Sequence, residues 1–184
     1  MGAIRVHEFT TVDGVVDAPM WTVDYGFPDD LAASIGAITA PAKGILLGRT
    51  TFEMFAPAWS TRTAEDDEGA PFFNDTPKYV VSSTLTEPGW DNSSVLGDDW
   101  RARVRALKEQ DGGDIVLTGS LTLCSAVIEA GLVDEYRLFV HPAVQGRGRR
   151  LFPEGHETAL RPQGEPGVQQ RRGAARVHPR LSPL

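Results

Sequence analysis

One cysteine, Cys124, is all that the 184 residues contain, so no disulfide can close within the chain. It sits in an apolar helical pattern and reads as a small buried hydrophobe rather than a nucleophile. No apolar run approaches the length of a bilayer span. The opening "MGAIRVHEF" has neither a basic n-region nor an apolar h-region, and Val6 stands where a myristoylation signal wants Ser or Thr. These absences lead us to expect a cytoplasmic protein with no membrane partner. Positive charge is not in excess either: 18 Lys and Arg stand against 25 Asp and Glu, a formal charge of −7, so no global basic field draws the chain to nucleic acid. The histidines His7, His141, His156 and His178 share no metal-binding spacing with one another or with Cys124, and no metal site is expected. There is no Walker loop. "GRGRRL", 146–151, offers Gly146 and Gly148 but lacks the third glycine of a dinucleotide fingerprint, and reads as a basic turn.

What is present alternates. "IRVHEF", 4–9, is a predicted strand, followed by the turn pair Asp13-Gly14 and the β-like Val15-Val16. "PDDLAASIGAITA", 28–40, is a predicted helix, started by Pro28 and two acids and stopped by Pro41. A strand at 43–47, a helix at 50–57 and a polar loop at 60–71 follow. Strands are expected at 78–83 and 93–96, then a helix at 98–109 in which Asp98 can cap and Trp100, Val104 and Leu107 share a face. "DIVLTG" is a buried-type strand. "SLTLCSAVIEAG" is a helix capped by Ser120 and stopped by Gly131, and 134–142 is a longer strand. Strands alternating with helices predict an α/β sheet with both faces covered.

Three predicted strand ends run into glycine or hydroxylated residues: Gly48-Arg49-Thr50-Thr51, Ser82-Ser83-Thr84 and Thr118-Gly119-Ser120. In open α/β sheets ligands bind beyond the carboxyl ends of strands. Two of these turns open directly into helices, whose first N–H groups and positive dipole end suit phosphate. Arg49 can add a charge-assisted contact. Each turn alone is explained as well by packing; together they point to a cofactor containing phosphate. Asp13 is the acid best placed after the first strand to reach a pocket, although a surface turn accounts for it equally.

The stretches "VDGVVDAPMW", "ILLGRTTFEMFAPAW", "PKYVVSSTL", "IVLTGSLTL" and "EAGLVDEYRLFVHPAVQGRGRRLFP" occur in that order. Over about residues 3–160 the chain resembles the dihydrofolate-reductase-like family that includes the C-terminal reductase domain of the bifunctional riboflavin-biosynthesis deaminase/reductase, and is most similar to its stand-alone members. The resemblance implies a dihydrofolate-reductase-like fold, a mostly parallel central sheet flanked by helices, with NADPH as cofactor. It implies Gly48, Arg49 and Thr50 at the diphosphate, and Ser82, Ser83 and Thr84 under the adenosine phosphate end. Gly119, Ser120 and Leu121 would wrap the cofactor from the other side, and Asp13 and Gly14 would border the nicotinamide and substrate cleft. It also implies a homodimer, to which strand 134–142 would contribute. Two departures matter. Ser83 replaces a basic residue that in relatives favours the 2′-phosphate of NADPH, which leaves NADH open. Ser120 stands where relatives in riboflavin synthesis have a second glycine, which points away from that pathway, as does the lack of a preceding segment with zinc ligands.

The expected function is NADPH-dependent reduction, a hydride passing to a C=N or C=O carbon of a small planar heterocycle such as a pterin or pyrimidine. Asp13 would hold a substrate nitrogen or relay a proton, with a pKa raised by burial. The alternative is a non-catalytic nucleotide- or ligand-binding protein on the same fold. The reductase domain is expected over 1–162. Residues 163–184 are expected to be an irregular basic tail that leaves the preceding strand as an open edge: they hold no aromatic residue and little apolar surface to offset ordering entropy. Read one base later, the codons for 163–181 permit "RASRAFSNGVVLRVYTPA", which has the character of a frameshifted final strand.

Overall fold

Short runs of Val, Ile and Leu pair side by side, and the one-sided apolar helices between them cover both surfaces of the sheet. The structure is a computed structural model that describes residues 1–110 and 113–162 and the backbone of 174–179. In chain order the elements are β1 (Ile4–Thr11), a 3-10 helix (Pro19–Tyr25), α1 (Asp29–Thr39), β2 (Ala42–Gly48), α2 (Arg49–Trp59), α3 (Ala70–Asp75), β3 (Lys78–Val81), β4 (Ser93–Leu96), α4 (Trp100–Glu109), β5 (Asp114–Thr118), α5 (Leu121–Glu129), β6 (Glu135–His141), β7 (Leu160–Pro162) and β8 (Ala174–Pro179). One sheet holds them in the order β4-β3-β2-β5-β1-β6-β8-β7. From β4 to β6 all neighbours are parallel. β8 and β7 close one side antiparallel. This is the mostly parallel sheet expected from the sequence.

β2 shows how a central strand is buried from both sides. Leu46 packs with Val104 of α4 and with Cys124 and Val127 of α5, whereas Ile45 and Leu47 face Phe52 of α2. Ile45 is level with Val116 of β5, which packs on Ile38 of α1. So α1, α2 and α3 cover one face, and α4 and α5 the other. At the amino ends Arg5 of β1 joins Asp114 of β5 at 2.8 Å and Glu135 of β6 at 3.2 Å, an ionic link across three strands. No helix among the described residues is long and apolar enough to cross a membrane.

Two expectations are corrected. The helix α3 begins inside the stretch 60–71 read as loop; its carbonyls are held from outside, by the buried Lys78 ammonium, which donates to Phe73, Asn74 and Thr76. The tail is not irregular throughout: Ala174–Pro179 pairs antiparallel with β6 (Tyr136 opposite Val177) and with β7 (Leu160 opposite Pro179). Strand pairing is satisfied by backbone N–H and C=O groups, so a segment without an apolar pattern can still cover an open edge. β6 therefore lies between β1 and β8 and offers no free edge over Tyr136–Phe139 for a partner subunit. Most of the stretch 163–181, for which a shifted reading frame is expected from the sequence, lies outside the described residues.

Candidate functional site

Parallel strands end together, so the order β3-β2-β5 brings the turns after β3, β2 and β5 to one edge of the sheet. A cleft of about 490 Å³ opens there. Gly48, Arg49, Thr50, Gly119, Ser120 and Leu121, all singled out in the sequence, line it. Ser82, Ser83 and Thr84 are not part of the lining, although Val81, just before them, is. Ser82 shapes its own turn: its hydroxyl accepts the N–H groups of Thr84 at 3.1 Å and Leu85 at 2.9 Å. Thr84 is tied to the cleft through Arg49, whose Nη1 donates to the Thr84 hydroxyl at 2.7 Å. Ser83 is exposed and uncharged.

The two glycine turns are laced together. The Gly48 N–H donates to Ser120 Oγ at 2.9 Å, and Thr51 Oγ1 donates to the Gly119 carbonyl at 2.9 Å. The expectation that Ser120 caps α5 is thereby corrected. Its hydroxyl accepts the Gly48 N–H and makes no capping bond. Gly48 has no side chain with which to cap α2. Both helices thus present N-termini without side-chain caps to the cleft, each with unpaired N–H groups and a partial positive charge. Gly119 is required by its backbone: φ is +64°, and a Cβ would sit 3.3 Å from Thr51 Cγ2 and 3.5 Å from Phe55 Cζ.

Arg149 and Asp17 also line the cleft, and sequence reasoning missed both. Arg149 belongs to the "GRGRRL" stretch read as a basic turn. Its carbonyl accepts the Val16 N–H at 3.0 Å, and Arg150 bridges Val15, so the loop after β6 is folded back over the loop after β1. Gly148 makes this approach possible: at φ +124° a Cβ would stand 2.6 Å from Val15 Cγ1. The Arg149 guanidinium then reaches the Thr122 hydroxyl of α5 at 3.1 Å. Only the alternation of glycine with arginine in the sequence could have hinted at this.

Asp13 is placed elsewhere than expected. It is not in the cleft lining, and its carboxylate accepts the Thr11 hydroxyl at 2.6 Å, the Gly146 N–H at 2.8 Å and the Gln145 N–H at 3.2 Å. These donors, the Thr11 hydroxyl foremost, lower its pKa to about 2. A proton relay with a raised pKa is therefore corrected to an ionised clamp that holds the loop after β6. The sequence could not show that loop returning to Asp13.

Comparison with known proteins agrees with this architecture. Residues 3–166 match the RibD C-terminal domain family. The chain is 34% identical over 143 residues to the uncharacterized protein YyaP of Bacillus subtilis, covering 76% of this chain and 71% of that protein. Among solved structures it is similar to a riboflavin biosynthesis protein, so described, from Shewanella sp. PV-4, with a TM-score of 0.77 at 19% identity over 97% of this chain and 99% of that one. It is similar too to dihydrofolate reductase from Enterococcus faecalis complexed with NADP(H), with a TM-score of 0.56 at 17% identity over 97% and 96% of the two chains. At those identities the two structures speak for the fold, which is dihydrofolate-reductase-like. By the match across its length and by its curated relative, the chain belongs to the RibD C-terminal domain family.

Proposed function

We propose that the protein is a cytoplasmic, homodimeric NADPH-dependent reductase that passes a hydride to a C=N or C=O carbon of a small planar heterocycle. The observation that carries this is the convergence of two uncapped helix N-termini, two glycine turns and the guanidinium groups of Arg49 and Arg149 on one cleft. That donor set is positive, rich in N–H groups and open to close backbone approach, and it fits a dinucleotide phosphate. Gly48, Thr50, Ser120 and Leu121 would hold the diphosphate. The family resemblance and the NADP(H) bound to the related dihydrofolate reductase support the same choice. When bound, the nicotinamide supplies the hydride; the chain's own residues orient the two rings and exclude water.

Arg49 gives a reason to prefer NADPH over NADH. Ser83 brings no charge to the adenosine end, but the Arg49 guanidinium rests on Thr84, in the same turn. Its salt link to Glu53 is long, 3.6 Å, and both side chains are about half exposed, so the guanidinium remains able to take a phosphate. Arg49→Ala should weaken NADPH binding by about 1.5–3 kcal/mol and NADH binding far less. Equal losses for the two cofactors would place Arg49 at the diphosphate, and no loss in a folded variant would remove it from the site. Turnover is tested by following nicotinamide absorbance with pterins and pyrimidines; tight NADPH binding without oxidation by any of them would favour a non-catalytic binding protein.

A further inference from the structure

The cleft has a carboxyl group beneath it. Glu8 lies on β1 one step beyond the last residue paired with β5, since His7 is level with Thr118, and so it stands beside Gly119. The residue is 5% exposed. Oε1 is buried and has no hydrogen-bond partner among the described residues. The Gly119 N–H lies close enough to favour the ionised carboxylate, and Cys124, in the first turn of α5, feels its charge. Glu8 therefore sits under the N-terminus of α5, the helix end that Ser120 does not cap.

Given that a phosphate-bearing dinucleotide occupies the cleft, we propose that Glu8 is its proton-linked gate: protonated, it leaves the α5 N-terminus positive and able to hold the anion; ionised, it neutralises that end and weakens binding. Two negative groups on opposite sides of one helix end compete for the same N–H dipoles, so the bound anion must also make Glu8 harder to ionise. Binding then takes up a proton. Burial raises the carboxyl's pKa to about 8, against the lowering effect of the Gly119 N–H, so the competition falls within a readily measured range.

The other titratable groups around Glu8 hold their charge through that range. From α5 the facing group is Cys124, a thiol pushed well above its ordinary value by burial first and by Glu8 second. From β6, Leu138 is opposite Glu8, and Tyr136 on the same face is raised by burial and then by Cys124. His7 lies on the other face of β1 and is lowered by burial to about 4. The turn after β5 brings only Thr118, Gly119 and Ser120, and the charged side chains lining the cleft above are Arg49, Arg149 and Asp17.

The test compares the full chain with Glu8→Gln, the neutral isostere. NADPH affinity is measured from pH 7 to 9.5, and proton uptake by calorimetry in two buffers of different ionisation enthalpy. In the unmodified protein Kd should rise about tenfold between pH 7 and pH 9, with net proton uptake near pH 8. Glu8→Gln should bind with a flat profile and no uptake, which also separates Glu8 from Lys78, whose pKa burial lowers to about 8. Carbon-13 titration of the glutamate carboxyls in the unmodified protein, with and without inorganic pyrophosphate, reads Glu8 even where the variant fails to fold; its titration should move to higher pH with pyrophosphate. Binding that is independent of pH, or equally dependent in Glu8→Gln, would overturn the gate and leave the cofactor assignment standing. Failure of both NADPH and pyrophosphate to bind at any pH would overturn the two together.

Discussion

His7 and Glu8 are adjacent in sequence and point to opposite faces of β1. His7 packs edge-on between Phe9 and Phe139, with ring centroids 5.2 and 5.1 Å away, and its Nε2 is buried without a partner among the described residues. Burial lowers its pKa from 6.5 to about 4 and raises that of Glu8 from 4.5 to about 8. The signs are opposite in effect. Between pH 6.5 and 4 the unfolded chain takes a proton on His7 that the native one refuses, so stability is lost as pH falls. Between pH 4.5 and 8 the native chain keeps a proton on Glu8 that the unfolded one gives up, so stability is lost as pH rises. Each shift corresponds to a few kcal/mol, roughly 1.4 per pKa unit, and in the shared window from about pH 4.5 to 6.5 the two trends offset. Denaturant midpoints should therefore vary little there in the unmodified protein. His7→Phe should leave a midpoint that falls steadily from pH 4.5 to 8, and Glu8→Gln one that falls only on the acid side. Identical profiles for all three chains would show that neither group titrates as its surroundings dictate.

Among the elements, α3 shows what local sequence can and cannot reveal. Its six residues are too few to be a stable helix alone. The helix exists because Lys78 of β3 donates to three carbonyls, at 2.7, 3.1 and 3.2 Å, and because Asn74 holds the chain on both sides. Asn74 accepts the Trp90 indole N–H at 3.0 Å and donates to the Trp59 and Arg62 carbonyls at 3.0 and 2.9 Å. The Lys78 ammonium also sits 4.5 Å from the Trp90 ring centroid. Lys78→Met keeps the stem but leaves those carbonyls without their donor, and should cost about 2–4 kcal/mol in unfolding free energy, with α3 the first segment to lose amide protection. A loss below about 0.5 kcal/mol would mean that water replaces the ammonium freely. The same distinction governs the site. Strands β2, β3 and β5 carry continuous apolar runs, and the glycines that follow are legible because an abrupt change of pattern marks a strand end. Gly48 to Thr50 and Gly119 to Leu121 could therefore be found from sequence. Arg149, Asp17 and the true partners of Asp13 could not, because they meet through loops whose return path depends on a contact such as Gly148 against Val15, which no local pattern encodes.

At the scale of the whole molecule the open question is how the sheet ends. Six parallel strands stop at β6, and β8 with β7 covers that edge through backbone pairing from Tyr136 to Phe139. An uncovered edge beside a buried core is a template for association. Residues 174–179 supply the covering strand although the composition of 163–184 is poor in apolar residues, Arg, Gly, Gln and Pro predominating. Pairing of this kind gains hydrogen bonds but little burial, so the edge should be held weakly compared with the core. Three chains test this: the protein as it stands, one ending at residue 162, and one in which 163–180 is replaced by "RASRAFSNGVVLRVYTPA", the reading one base later. Sedimentation and thermal unfolding should rank them. The shortened chain should form large, irregular species as its β6 edge opens, the protein as it stands should sediment as one discrete species, and the replaced tail, which puts Leu, Val and Tyr within the 174–179 strand position, should melt highest. A shortened chain that stays soluble and sediments as the intact one does would show that β8 protects nothing. A replaced tail that lowers the melting temperature would show that the strand beside β6 is not an apolar one, and the frameshift reading would fall with it.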